Sequence, residues 1–111
     1  MLVLNRFVVP PGKQDGFVGE AHAALAALAE RPGYLSGRLT RALDDPAHWT
    51  LVTEWESVGA YRRALGGFDV KVRATPLLAR SLEEPSAFET LASAAPGGAI
   101  TVMASDRSLD V

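Results

Sequence analysis

Pro32-Gly33-Tyr34-Leu35-Ser36-Gly37-Arg38-Leu39-Thr40-Arg41-Ala42-Leu43-Asp44-Asp45-Pro46-Ala47-His48-Trp49-Thr50-Leu51-Val52-Thr53-Glu54-Trp55 is the stretch that decides the fold. It opens on a Pro-Gly break, alternates from Tyr34 to Leu43, turns at Asp44-Asp45-Pro46-Ala47 and alternates again from His48 to Trp55. Alternation sends successive side chains to opposite faces of a sheet, and Asp and Pro favour the turn, so the segment reads as a β-hairpin. In its first strand Leu35, Gly37, Leu39 and Leu43 fall on one side, interrupted by Arg41, and Ser36, Arg38, Thr40 and Ala42 on the other. In its second strand Trp49, Leu51, Thr53 and Trp55 share a face, with Val52 and Glu54 behind them. Glu54 is expected to pair with Arg38 across the hairpin or to face a partner protomer.

Working outward, Leu2 to Val9 is rich in β-branched and apolar residues and stops at Pro10-Pro11-Gly12, which reads as a strand. Asp15 to Arg31 repeats Phe17, Ala21, Leu25 and Leu28 at helical spacing among many alanines and ends at Pro32-Gly33. Beyond the hairpin, Ser57 is a candidate N-cap for a helix that carries Val58, Tyr61 and Leu65 inward and Arg62 and Arg63 outward, ending at Gly66-Gly67. Asp69 is expected to cap a short helix through Arg73, and Pro76 to Leu82 a further helical turn. Ser86 to Ala94 is the expected fourth strand. Residues 95–111 form a tail whose run Ile100 to Met103 suits an edge strand, a partner-clasping arm or a disordered end. The order is β-α-β-β-α-β in a single domain, residues 1–94. This predicts the α+β, ferredoxin-like arrangement, an antiparallel sheet with both helices on one face. The opposite face carries enough apolar side chains to call for a partner, and a homodimer is the economical cover.

Composition removes several function classes. The chain has 111 residues, 48% hydrophobic and 22% charged, with a net charge of −2. A slight acidic excess offers nothing for a phosphate backbone, so nucleic acid is not the expected partner. There is no cysteine, which excludes disulfides, thiolate-bound metal and thiol nucleophiles. His22 and His48 are too far apart in sequence to suggest a dedicated metal site. No apolar run approaches a membrane span and no signal sequence is visible, so the expectation is a soluble, cytoplasmic protein without membrane partners.

Pro32-Gly33-Tyr34-Leu35, Asp45-Pro46, Leu51 through Ser57 and Ala60-Tyr61, with Phe7, Pro11-Gly12 and Phe17 ahead of them, resemble the antibiotic biosynthesis monooxygenase family. The resemblance runs from about Leu2 to Ala94. It implies a protomer whose sheet pairs with a second to form a dimeric α/β barrel, with a pocket between sheet and helices. One branch oxidises aromatic polyketides or quinols with O2 and needs no metal or flavin. Another binds and opens haem.

Three residues are the candidate site. Trp55 and Tyr61, six positions apart, match the tryptophan and tyrosine that line the pocket in the oxygenase branch. A cofactor-free oxygenase needs its substrate, as a phenolate or enolate, to supply the electron. The protein then orients the substrate, stabilises the anion and excludes water, and a phenol and an indole N–H are suitable donors. Asn5 is polar within an apolar strand and shares a face with Val3 and Phe7. A pocket asparagine stands at the corresponding place in the haem-degrading branch. That branch also needs a second tryptophan where this chain has Ala64, and an axial histidine where it reads Val72-Arg73-Ala74. Arginine does not ligate iron. The expected ligands are therefore a small aromatic or quinone-like substrate and O2, with no cofactor and no metal. The rival expectation is a non-catalytic binding or structural barrel whose pocket is filled by Tyr61, Leu65 and Phe68. His22, His48 and the basic group Arg62, Arg63, Lys71, Arg73 and Arg80 read as solvated residues without an assigned role.

Overall fold

In a computed structural model that describes residues 1–105, the strand Leu2–Val8 (β1) lies between His48–Trp55 (β3) on one side and Ala87–Phe88 (β4) on the other. Tyr34–Arg41 (β2) completes the four-stranded antiparallel sheet, in the order β2-β3-β1-β4. This is the ferredoxin-like arrangement expected from the element order. Val3, Asn5 and Phe7 of β1 and Trp49, Leu51, Thr53 and Trp55 of β3 are buried against the helices.

Among the described residues, four helices cover that face. Gln14–Ala29 (α1) buries Phe17, Ala21, Ala24, Ala27 and Leu28 and packs on β2. Val58–Leu65 (α2) is started by Ser57, whose Oγ accepts from the Ala60 N–H at 3.0 Å. Its fully buried residues are Ala60 and Ala64, and Val58, Tyr61 and Leu65 flank them half-buried. Phe68–Arg73 (α3) and Thr75–Leu78 (α4) pack together beneath α1.

Several local expectations need correction. The cap of α3 is Gly67, and Asp69 lies inside its first turn. The helical turn expected over Pro76 to Leu82 is Thr75–Leu78, with proline in its first turn, where its missing N–H costs nothing. Alternation through β2 is broken by a bulge between Tyr34 and Ser36. An extra residue reverses the facing of every residue after it, so Tyr34 joins Gly37 and Leu39 on the core side while Leu35 is 53% exposed. Leu43 lies beyond the strand and is fully exposed. Arg41, which interrupts the apolar pattern of the strand, lies over the Trp49 ring at 5.2 Å and covers it. The register sets Ser36 opposite Glu54 and Arg38 opposite Val52, and Ser36 Oγ donates to Glu54 Oε1 at 3.3 Å. The expected Arg38–Glu54 pair is absent among the described residues.

The fourth strand is shorter than the expected Ser86 to Ala94. Leu82 N–H donates to Arg6 O and Leu4 N–H to Ser86 O, each at 2.7 Å, so the chain tracks β1 before Ala87 and Phe88 pair with Val3 and Leu2. It stops there because β1 begins at Leu2, leaving no ladder to extend. Ala92–Ser93 (β5) and Thr101–Val102 (β6) then form a separate ribbon, so Ile100 to Met103 supplies no edge to the main sheet. The remainder of the tail, 106–111, lies outside the described residues.

Gly33 joins α1 to β2 with φ +88°, and a Cβ there would overlap the Cβ of Ala60. Gly33→Ala therefore combines a left-handed backbone with overpacking. It is expected to lower unfolding free energy by about 2–4 kcal/mol in urea titration; an unchanged midpoint would contradict this contact.

Candidate functional site

Trp55 ends β3 and is only 1% exposed. Its ring meets Tyr34 edge-on, with centroids 5.4 Å apart, and Tyr61 at a tilt, 5.5 Å apart. The sequence explains why Tyr61 arrives there. The Ser57 cap fixes the first turn of α2, and Tyr61 follows one turn later on the side that faces the end of β3. The Trp55 indole N–H donates to Thr53 Oγ1 at 2.8 Å, two residues earlier on the same face. This donor is already used. Trp55 is a core residue that backs Tyr61 and does not offer the free N–H expected of it.

Tyr61 is different. Its hydroxyl has no hydrogen-bond partner among the described residues, and burial raises the phenol's pKa above its ordinary value. The phenol stays protonated at neutral pH and keeps a donor to offer. It lines an open, largely apolar cleft of about 660 Å³ with Leu65, Lys71, Thr75, Leu78 and Ala79. Lys71 and Thr75 supply the polar groups at its edge. The rival filling by Phe68 fails, because that side chain is 79% exposed and does not line the cleft.

Asn5 is buried at 9% exposure, and its carboxamide has no partner among the described residues. It pairs in register with Leu51 on the adjacent strand. Trp55 lies four residues further along β3, roughly 13 Å away in the strand direction. The structure thus brings Trp55 and Tyr61 together, and places Asn5 on the same face of the sheet but away from their contact. Two neighbours of the site, Tyr34 and Lys71, escape a reading by residue type. The signal for Tyr34 is the Pro-Gly before it, which starts the strand with an irregularity. Lys71 has none beyond its helical spacing from Thr75.

His22 and His48 are exposed and neither lines the cleft. His48 Nε2 lies 3.1 Å from Asp45 Oδ2 in the turn. Where the haem branch requires a tryptophan and a ligand, Ala64 is buried in the core and Arg73 is exposed. The residues present do not fit haem. Among the described residues no group of three His, Asp or Glu side chains is placed to share a metal ion.

A model of the antibiotic biosynthesis monooxygenase family matches residues 1–71, from β1 into α3. The chain belongs to that family. No curated protein matches it. Among solved structures, SnoaB from Streptomyces nogalater, described as a cofactor-independent oxygenase, is 24% identical, with a TM-score of 0.63, 97% of this chain covered and 94% of that one. A conserved protein from Methanosarcina mazei Go1 is 20% identical, with a TM-score of 0.64 over 78% of this chain and 84% of the other. At such identities the likeness is one of fold. No helix among the described residues of this family member is long and apolar enough to cross a membrane.

Replacing Thr53 with valine keeps its shape and orphans the Trp55 N–H in the core. Thr53→Val is expected to cost about 1–3 kcal/mol of stability and to blue-shift or broaden the Trp55 indole signals in fluorescence or NMR. A neutral substitution would show that the bond contributes nothing.

Proposed function

We propose that the chain is a homodimeric, cofactor-independent monooxygenase acting on a small aromatic, quinol or polyketide-like substrate. The observation that carries this reading is the Tyr61 hydroxyl, protonated and unpartnered among the described residues at the wall of an apolar cleft, with Trp55 behind it. The family match and the fold shared with SnoaB support it. In the reaction, an acidic phenol or enol ionises and its anion passes one electron to O2. The resulting radicals combine at the ring carbon, and the peroxide loses water to leave a carbonyl. One O2 is consumed, one oxygen atom enters the product and the other leaves as water.

The apolar wall favours a flat aromatic guest, and Tyr61 donates to the oxygen where negative charge gathers. Lys71, at the edge of the same cleft, adds a positive field for that anion. Asn5, set apart from the cleft along the sheet and absent from its lining, takes no part in this reading. A second reading, a non-catalytic ligand-binding or structural barrel, is favoured by the burial of Trp55 and its saturated N–H.

O2 uptake by metal-free protein with a panel of anthrones, naphthols and hydroquinones separates the two. Turnover is expected in the wild type, with Tyr61→Phe lowering kcat at least about tenfold while leaving the melting temperature within a few degrees. Full activity in Tyr61→Phe would remove the tyrosine from the mechanism, and no uptake across the panel would favour the binding module. Because burial raises the phenol's pKa, activity should rise with substrate ionisation and hold at pH 9. It should fall only above the ordinary tyrosine range near about 10. Loss of activity below pH 9 in a stable protein would contradict a protonated Tyr61.

A further inference from the structure

Charge is distributed unevenly along this chain. From Val58 to Ala79, Arg62, Arg63, Lys71 and Arg73 stand against one acid, Asp69, in a protein of net charge −2. The helices that border the cleft are therefore positive while the rest of the molecule is acidic. Cations in the last turn of a helix complement its dipole, and all four lie in such turns. That accounts for their presence on the helices but not for the place of Lys71, which alone of the four lines the cleft with Tyr61. Arg62 borders a separate hollow beside Met1 and Phe88.

Lys71 and Thr75 make the polar end of the cleft. Ala74 continues the helical path from α3 into α4, its N–H donating to Val70 O and its carbonyl accepting from Leu78 N–H. Lys71 and Thr75 are thus neighbours one turn apart, with Cβ atoms about 5–6 Å from each other. Both are exposed, and neither side chain has a hydrogen-bond or ion-pair partner among the described residues. By contrast, Arg80 is held by Glu20 at 3.0 Å and Arg6 by Glu84 at 3.3 Å. The rest of the lining is Leu65, Leu78 and Ala79, all apolar. The cleft therefore offers two separate polar points, the Tyr61 hydroxyl on α2 and an ammonium–hydroxyl pair on α3 and α4, joined by an apolar floor. One ammonium beside one hydroxyl suits a carboxylate, which has two acceptor oxygens and a single charge. A phosphate monoester brings a third oxygen and nearly twice the charge.

We propose that the substrate is a hydroxyaryl carboxylate, with its phenol oxygen at Tyr61 and its carboxylate, across the ring system, held by Lys71 and Thr75. The carboxylate takes no part in the oxidation. It decides which phenols enter and which way round they lie, and Lys71 is the residue that sets this specificity. The inference rests on the oxygenase reading for the place of the phenol at Tyr61.

The test is calorimetric binding without O2, so that nothing turns over, of 6-hydroxy-2-naphthoate and 2-naphthol at pH 7 in low salt. The two share one ring system and differ only in the carboxylate. The wild type is expected to bind the acid about fivefold more tightly, the upper range for an exposed ion pair. Lys71→Gln, or about 0.5 M KCl with the wild type, is expected to bring the ratio near one. Lys71→Arg should keep it, and so should Arg73→Gln, which loses the same charge outside the cleft. Affinity for 2-naphthol should stay within about twofold in these variants, and Tyr61→Phe should weaken both ligands. Equal wild-type affinities, or a preference that survives Lys71→Gln, would overturn the carboxylate site and leave Tyr61 standing if Tyr61→Phe still weakens both. Binding that Tyr61→Phe does not weaken would overturn the phenol's place at Tyr61. Binding of neither ligand would overturn both ends of the proposal.

Discussion

The structure depends on the packing of Trp55 between Tyr34 and Tyr61. This one contact joins the start of β2, the end of β3 and the second turn of α2. Each participant reaches it through a separate local device. Tyr34 turns inward because of the bulge before Ser36, and the bulge comes just after a left-handed Gly33 that also lets Ala60 approach closely. Gly37 leaves room for the Tyr34 hydroxyl, since a Cβ there would overlap it and lie 2.6 Å from Leu25 Cδ1. Tyr61 is placed by the Ser57 cap. Met1 closes the arrangement: the Trp55 backbone N–H donates to Met1 O at 2.9 Å, and the Met1 nitrogen returns a bond to Trp55 O at 3.3 Å.

The energetic weight of the stack explains why fold and site share residues. Aromatic side chains bury roughly 150–250 Å² each, and well-oriented pairs add about 0.5–1.5 kcal/mol beyond that area. A domain of this size has roughly 5–15 kcal/mol of net stability. Losing Trp55 would thus remove a large share of stability along with the ring that backs Tyr61. Tyr61 is separable, because phenylalanine keeps the ring contact and deletes only the hydroxyl. The inner part of the stack serves the core and its outer edge is available for chemistry.

Much of this is legible in the sequence, and the exceptions share a cause. The strand boundaries of β3, the Ser57 cap and the meeting of Trp55 with Tyr61 come from periodicity and short spacing, which are local. Strict alternation misplaces Leu35 and the partner of Glu54 because it contains no bulge, and one added residue changes register and face together. Composition overextends the fourth strand because its length is set by where β1 starts, a fact about another part of the chain. Spacing leaves the Trp55 N–H free because it does not show that Thr53, two residues back, accepts it first. Asn5 falls on the buried face, as alternation requires, but the register that separates it from Trp55 is a tertiary property.

The proposed chemistry requires a ligand to meet the protein at the Tyr61 edge of the stack and not at its buried centre. The chain has only two tyrosines, one at each end of that stack. Fluorotyrosine labelling therefore gives two 19F resonances, assigned by Tyr34→Phe and Tyr61→Phe. Titration with a naphthol that does not turn over is predicted to move the Tyr61 resonance saturably while the Tyr34 resonance moves far less. A Tyr34 resonance that responds alone, or two resonances that stay fixed up to the ligand's solubility limit, would contradict a site at Tyr61.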